Sequence, residues 1–143
     1  MGATVRAVWP GITEEQLESQ PGFYNDCKAW GDWMAERFLE PKVIEAIEAL
    51  EVEPILTHIT AGMAESEVSW VKPTELRDAA VRLREAVEAS HHGAKIILKT
   101  YALNANNVDP VEQEFTQDLN DIVALAKWAE EEGATVMTLE VNW

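Results

Sequence analysis

Histidine is the side chain best suited to proton transfer near neutral pH, and the chain contains three, His58, His91 and His92. His58 alternates with the inward-facing residues of a predicted strand and is the best single acid/base candidate. Tyr101 is a second candidate catalytic residue. His91 and His92 are adjacent and would point to different sides of a helix, so they lack the spacing at which helical pairs bind one metal ion. We expect them to place favourable charge in the last turn of a helix that Gly93 ends.

The single cysteine, Cys27, is a candidate nucleophile only if a histidine lies beside it in the fold. Its spacing from Phe23, Trp30 and Met34 places it on the apolar stripe of a predicted helix. A buried free cysteine behaves as a small hydrophobic residue, and the sequence favours that interpretation. One cysteine also excludes an intramolecular disulfide framework and any zinc site with several cysteine ligands.

The asparagine-rich segment 104–109 has the composition of a calcium loop but fails its pattern. Asp109 stands at the sixth position, where the loop requires glycine, and no glutamate falls at the twelfth. A turn in which Asp109 caps the helix that follows Pro110 explains these residues better. Phosphate-loop, dinucleotide-binding, serine-elbow and zinc-protease patterns are absent as well. The sequence therefore predicts no metal site and no cofactor.

The charge balance is strongly acidic, because 26 Asp and Glu residues oppose 11 Lys and Arg residues and the formal net charge is -15. Binding to nucleic acid or to an anionic membrane draws on Lys and Arg, so this composition argues against both. No apolar run approaches the roughly 20 residues of a membrane span, and no signal peptide opens the chain. We therefore expect a cytoplasmic protein whose charge favours a basic protein partner.

Tryptophan is abundant, with six residues in the chain, and most of them fit predicted apolar faces. Trp33 and Trp128 lie at the margins of their helical stripes, where a partly exposed ring would anchor a partner. Glu130, Glu131 and Glu132 follow Trp128 and crowd the negative end of a helix dipole. We predict a partner-binding surface from Trp33, Trp128 and these three glutamates. Core packing of the rings and a solubility role of the charges are the alternatives.

Hydrophobic spacing predicts both strands and helices in the first part of the chain. Alternation over 3–9 indicates a strand, and Thr13 with Gln16 forms a capping-box pattern for a short helical turn. Helical spacing follows over 23–39, and Pro41 suits the first position of a further helix.

In the second part, alternation over 55–60 and over 67–70 predicts two short strands, most simply joined as a β-hairpin. The helix that begins at Pro73 is expected to run to His92. Residues 95–103 fit either a buried strand or a helix segment. A helix over 110–132 and a strand over 137–143 complete the predicted elements.

These elements predict an α+β fold with a mostly antiparallel sheet of about four strands, covered by three or four helices. Both termini would lie in strands. No repeat, linker or low-complexity tract marks a boundary, so residues 1–143 are predicted to form one domain.

Three functions are consistent with the sequence. The first is a protein-binding module for a basic partner, of which an immunity- or antitoxin-type inhibitor is one form. The second is a small-molecule enzyme or ligand-binding domain with a pocket between helices and sheet, which would use His58, Tyr101 or an unidentified carboxylate. The third is a structural subunit of a homo-oligomer.

Overall fold

The computed structural model describes residues 4–21, 30, 33, 40–60, 62–102 and 111–142. These residues contain three strands, five α-helices and two 3-10 turns, which confirms a mixed helix and sheet fold of the α+β kind. In chain order, the elements are β1 (Thr4–Val8), α1 (Glu14–Glu18), α2 (Pro41–Ala49), a 3-10 turn (Glu53–Leu56), β2 (Ile59–Thr60), a second 3-10 turn (Glu65–Glu67), α3 (Pro73–Glu88), α4 (His92–Tyr101), α5 (Val111–Glu131) and β3 (Thr138–Asn142).

The sheet has β3 at its centre, in the order β1-β3-β2. β1 pairs antiparallel with β3, with Ala7 opposite Leu139, whereas β2 pairs parallel with β3 over two residues. Along the outer edge of β1, the side-chain amide of Gln20 bonds both the N–H and the carbonyl oxygen of Ala7. The predicted four strands are therefore wrong, because the described residues form three. The first and last described elements are strands, which fits the prediction of strands at both termini only in part.

The β-hairpin predicted over 55–60 and 67–70 is also wrong. Pro54 has a fixed φ that suits a helical turn, and residues 53–56 form one of the two 3-10 turns. Residues 65–67 form the other, so this region offers β2 no second strand as a partner. Only a single antiparallel bridge, between Val71 and Met137, joins the end of this region to the sheet.

The predicted inward face of the sheet is confirmed wherever the structure describes it. Buried residues alternate along β1 and β3 and in their immediate extensions, and these are Val5, Ala7, Trp9, Met137, Leu139 and Val141. Ala3 and Trp143, predicted on the same face, lie outside the described residues.

The opposite face of the sheet is not uniformly exposed to solvent. Arg6 is exposed there and forms an ion pair of 2.6 Å with Glu140. Thr138, however, is fully buried, with its hydroxyl 2.7 Å from the hydroxyl of Thr57. The Thr57 hydroxyl donates to the carbonyl oxygen of Ser69, so Thr138 is the donor in the bond between the two threonines. The segment before β2 therefore covers part of this face.

The helices begin and pack largely as their sequences predict. The capping box is present, since the Gln16 N–H donates to Thr13 Oγ1 at 3.1 Å and the Thr13 N–H donates to Gln16 Oε1 at 3.0 Å. Pro41 starts α2, and Pro73 starts α3. α5 packs along α3, and α2 packs against α4. The buried stripes of α3 and α5 include most of the predicted positions, which are Leu76, Ala80, Leu83, Val87, Phe115, Leu119, Ile122, Ala126 and Ala129. Val111, also predicted on the stripe of α5, is only partly buried.

The two adjacent histidines lie at the start of a helix and not at the end of one. α3 ends at Glu88, and Ser90 then takes a φ of 55°, in the left-handed region. His91 caps α4, because its Nδ1 accepts the Gly93 N–H at 3.0 Å. The predicted stabilisation of a helix C-terminus by these histidines is therefore wrong. The ambiguous segment is also settled, because α4 makes residues 95–101 helical.

The left-handed backbone at Ser90 can be tested by substitution. A non-glycine residue in the left-handed region costs about 1–2 kcal/mol, and glycine loses about 0.5–1 kcal/mol through its greater unfolded freedom. We expect Ser90→Gly to raise the free energy of unfolding by about 0.5–1 kcal/mol in urea denaturation. Ala89→Gly is the matched control, because Ala89 has a φ of -81° and should lose stability. Equal losses in both variants would contradict the assigned backbone.

Leu139 tests the inward face of β3. It is 1% exposed, and a large-to-small change in such a position costs about 2–5 kcal/mol. We expect Leu139→Ala to lose that amount in urea denaturation, whereas Glu48→Ala on the exposed side of α2 should change stability by under about 0.5 kcal/mol. A loss for Leu139→Ala as small as that of the control would place Leu139 at the surface.

Candidate functional site

Trp128 of α5 is half-buried and packs against a second tryptophan. Its ring centroid lies 5.3 Å from that of Trp9, and the two ring planes are tilted by 52°. Trp9 directly follows β1 and is itself buried, so one side of Trp128 is fixed against the core. Trp128 keeps part of its surface exposed to solvent.

Three exposed carboxylates follow Trp128 at the end of α5. Glu131 and Glu132 come three and four residues after Trp128, so they share its side of the helix. Glu130 is 3.9 Å from Arg77 Nη1, in an exposed pair of the kind that contributes little to stability. The last turn of α5 carries no basic residue, so the helix dipole adds to the negative potential of these glutamates. We call Trp128, Glu130, Glu131 and Glu132 the Trp128 surface.

Trp33, predicted to share this role, lies instead in the core. It is 0% exposed, and its indole N–H donates to Thr100 Oγ1 of α4 at 3.2 Å. A side chain without exposed surface offers a partner no contact, so Trp33 does not belong to the Trp128 surface. Its ring neighbours are Trp30 at 5.2 Å and Tyr101 at 6.4 Å, both edge-on.

These rings form a buried group with Phe115 of α5, and we call Trp30, Trp33, Tyr101 and Phe115 the aromatic cluster. Tyr101 and Phe115 meet edge-on, with centroids 4.7 Å apart, and Trp30 lies 5.8 Å from Phe115. Edge-on geometry places the positive rim of one ring on the negative face of another, which stabilises such pairs beyond simple burial. The cluster joins α4 to α5.

A carboxyl group borders the aromatic cluster. Asp118 is 4% exposed, and the Tyr101 hydroxyl donates to its Oδ2 at 2.7 Å. Burial raises the pKa of Asp118 to about 7, and the hydrogen bond from Tyr101 opposes that rise. The nearby charges of Glu114 and Asp121 raise the pKa further, while a hydrogen bond from the Trp30 backbone amide lowers it.

The sequence does not identify Asp118, because carboxylates are abundant in the chain and no motif singles one of them out. A signal was present in the spacing. Position 118 lies three residues after Phe115 and four before Ile122, so it falls inside the apolar stripe of α5. Asp121 is also 4% exposed, and it accepts a hydrogen bond of 2.9 Å from Gln117.

The two predicted acid/base candidates have different partners. His58 is half-buried, with its Nδ1 3.0 Å from the carbonyl oxygen of Leu56, so a proton on Nδ1 would bind there and leave Nε2 as the acceptor. Tyr101 is fully buried and bonds to Asp118. The structure therefore pairs Tyr101 with a carboxyl group and gives His58 a backbone contact.

One cavity lies on the polar side of α5 and has a volume of about 450 Å³. The described residues that line it are Glu112, Gln113, Thr116, Gln117 and Asn120. A smaller cavity of about 160 Å³ lies where α3, α4 and α5 approach one another. Neither lining includes Tyr101, Asp118 or His58.

The described residues contain neither a group of side chains suited to a metal ion nor a helix suited to crossing a membrane. Across the described ranges, no three His, Cys, Asp or Glu side chains are grouped so that they could hold a metal ion. In the same part of the chain, no helix combines the length and apolar character that crossing a membrane requires. Cys27 and the segment 104–109 lie outside the described residues.

Asp118 generates a prediction about stability and pH. Its folded pKa is raised, so between about pH 4 and pH 7 the folded chain holds a proton that the unfolded chain releases. This contribution to stability is therefore full at low pH and is lost as the pH rises through the folded pKa. We expect the wild type to lose about 1–3 kcal/mol more than Asp118→Asn between pH 5 and pH 8 in urea denaturation.

The asparagine variant keeps an oxygen that can accept the Tyr101 hydrogen bond, and it carries no charge at any pH in this range. The many other carboxylates contribute equally to both proteins, so the difference between them isolates Asp118. Glu85→Gln, an exposed neutralisation on α3, is the control and should follow the wild type. Parallel curves for the wild type and Asp118→Asn would show that the carboxyl is solvated.

Comparisons with known proteins gave no match to a family model, to a curated protein or to a solved structure. A function for this chain is therefore inferred from its own residues. Two locations combine unusual chemistry with defined geometry, and these are the exposed Trp128 surface and the buried pair of Tyr101 and Asp118.

Proposed function

We propose that the protein is a cytoplasmic binding module that engages a basic protein partner through the Trp128 surface. An inhibitor of the immunity or antitoxin type is one form of such a module. The observation that supports this function best is the position of Trp128, which leans on buried Trp9 and stands beside exposed Glu131 and Glu132.

The packing of Trp128 favours binding because the ring is already held. Association costs free energy when mobile side chains become ordered, and Trp128 has lost part of its freedom against Trp9 before a partner arrives. Tryptophan is among the residues that contribute most at protein interfaces. We therefore assign to Trp128 the short-range contact that determines how slowly a complex dissociates.

The charges favour encounter with a basic surface. The whole chain carries a formal charge of -15, and Glu130, Glu131 and Glu132 concentrate negative potential at one helix end. Such a field raises the rate at which oppositely charged proteins meet. Its range falls from a Debye length of about 30 Å at 0.01 M salt to about 3 Å at 1 M.

A second candidate function, a small-molecule enzyme or ligand-binding domain, is favoured by Tyr101 and Asp118. A buried acid whose pKa is raised to about 7 can exchange a proton at neutral pH. Both side chains are shielded from solvent, so a substrate would need a path to them. A tightly bound metabolite in the purified protein would favour this function. A homo-oligomeric subunit, the third candidate, would show a solution mass above 16.0 kDa.

The binding proposal predicts a distinctive salt dependence. The partner is first captured from the source lysate at low salt and identified, and association and dissociation rates are then measured from 0.01 M to 1 M salt. We expect a basic partner whose association rate falls about tenfold or more across this range, while its dissociation rate changes little. A neutral or acidic partner, or an association rate that ignores salt, would contradict the proposal.

Variants then locate the contact. Trp128→Ala should raise the dissociation rate about 30-fold, as expected for a residue that contributes about 2 kcal/mol. Neutralising Glu131 and Glu132 together, by substitution to Gln, should lower the association rate. The matched control neutralises Glu45 and Glu48, an exposed pair on α2, and removes the same charge elsewhere. Equal effects of the two double variants would remove the Trp128 surface from the interface.

A further inference from the structure

The buried pair of Tyr101 and Asp118 connects three parts of the chain through one carboxyl group. We propose that the protonation state of this pair controls whether the aromatic cluster is closed or locally open, and we call the pair the latch. With Asp118 protonated, the cluster is closed. With Asp118 ionised, the cluster opens locally and admits water to Tyr101 and Trp33. This inference concerns the core and does not depend on the proposed binding function.

The hydrogen bonds of Asp118 link α5 to α4 and to the backbone at Trp30. Asp118 belongs to α5, it accepts the hydroxyl of Tyr101 from α4, and it accepts the backbone amide of Trp30. Trp33 is tied to the same part of α4, because its indole N–H bonds Thr100, the neighbour of Tyr101. A change at the carboxyl therefore acts directly on Tyr101 and on the backbone of Trp30, and it reaches Trp33 through the packing of that ring against Tyr101.

The surroundings of Asp118 make its charged form the less favourable one inside the closed cluster. Asp118 is 4% exposed, and Phe115 and Ile122 lie one helical turn to either side of it. Among the described residues, the charged and titratable groups that act on it are Tyr101 from α4 and Glu114 and Asp121 from α5. Ionisation of Asp118 thus adds a negative charge next to Glu114 and Asp121, whose charges oppose it.

A small opening that lets water reach Asp118 lowers the free-energy cost of its ionisation most directly. Desolvation is what disfavours the charged carboxylate, so any state in which water reaches Asp118 is favoured once the proton leaves. Such a state needs only part of the cluster to separate, and local openings cost less than global unfolding. The raised pKa of about 7 places the change close to neutral pH.

Hydrogen exchange of the Trp33 indole N–H reports this opening at the right place. Each tryptophan gives one indole signal in a two-dimensional NMR spectrum, and Trp33→Phe identifies the relevant one. The rate is corrected for the intrinsic effect of pH and expressed as a protection factor. We expect protection to fall about tenfold in the wild type between pH 6 and pH 8, and to change less than about twofold in Asp118→Asn.

Tyr101→Phe supplies a second and independent criterion. It removes a hydrogen bond that favours the ionised carboxylate and leaves the ring in place, so the midpoint of the fall should move to higher pH. If Asp118→Asn does not fold, the shift of the midpoint in Tyr101→Phe tests the proposal by itself. Glu85→Gln should behave as the wild type does.

Three results would overturn the latch: constant protection in the wild type, an equal fall in Asp118→Asn, or an unmoved midpoint in Tyr101→Phe. A purely structural hydrogen bond would weaken protection at every pH in Tyr101→Phe and would leave the midpoint where it was. The partner-binding rates of the Trp128 surface play no part in these measurements, so the two proposals fail separately.

Discussion

The hydrogen bond from Tyr101 to Asp118 joins α4 to α5 inside the core, and the packing around it keeps that carboxyl away from water. Asp118 cannot turn outward without moving α5, because Phe115 and Ile122 bury the same side of the helix. α5 in turn packs along the length of α3 and reaches the sheet. The fold therefore fixes an acid in surroundings that favour its neutral form, in a chain whose other acids are mostly at the surface.

The parts of the fold that the sequence predicts correctly are those where one periodic pattern is long and unopposed. β3 alternates cleanly, and α5 repeats its apolar positions over 21 residues. The region around Pro54 defeats this reasoning because a short apolar run does not distinguish a strand from a 3-10 turn. The end of α3 near Ser90 is not predicted for another reason, since a serine occupies the left-handed position at which glycine is usual.

The candidate sites likewise include residues whose position the sequence predicts and residues whose position it does not. The half-exposed position of Trp128 follows from its place at the edge of a helical stripe, whereas Trp33, at a similar edge, is covered completely by contacts that sequence spacing does not reveal. The burial of Asp118 is not predicted, because the chain contains 26 acidic residues and any one of them is expected to be solvated. Only its phase relative to Phe115 and Ile122 singles it out.

The burial of Asp118 is the central claim, and NMR titration of its side-chain carboxyl carbon tests it most directly. The chemical shift of that carbon follows ionisation of this one group, independently of the stability of the protein or of any partner. The structure predicts a midpoint at about pH 7, well above the ordinary value of 3.8. A midpoint near that ordinary value would show that water reaches the carboxyl, and it would contradict the buried pair on which the account depends.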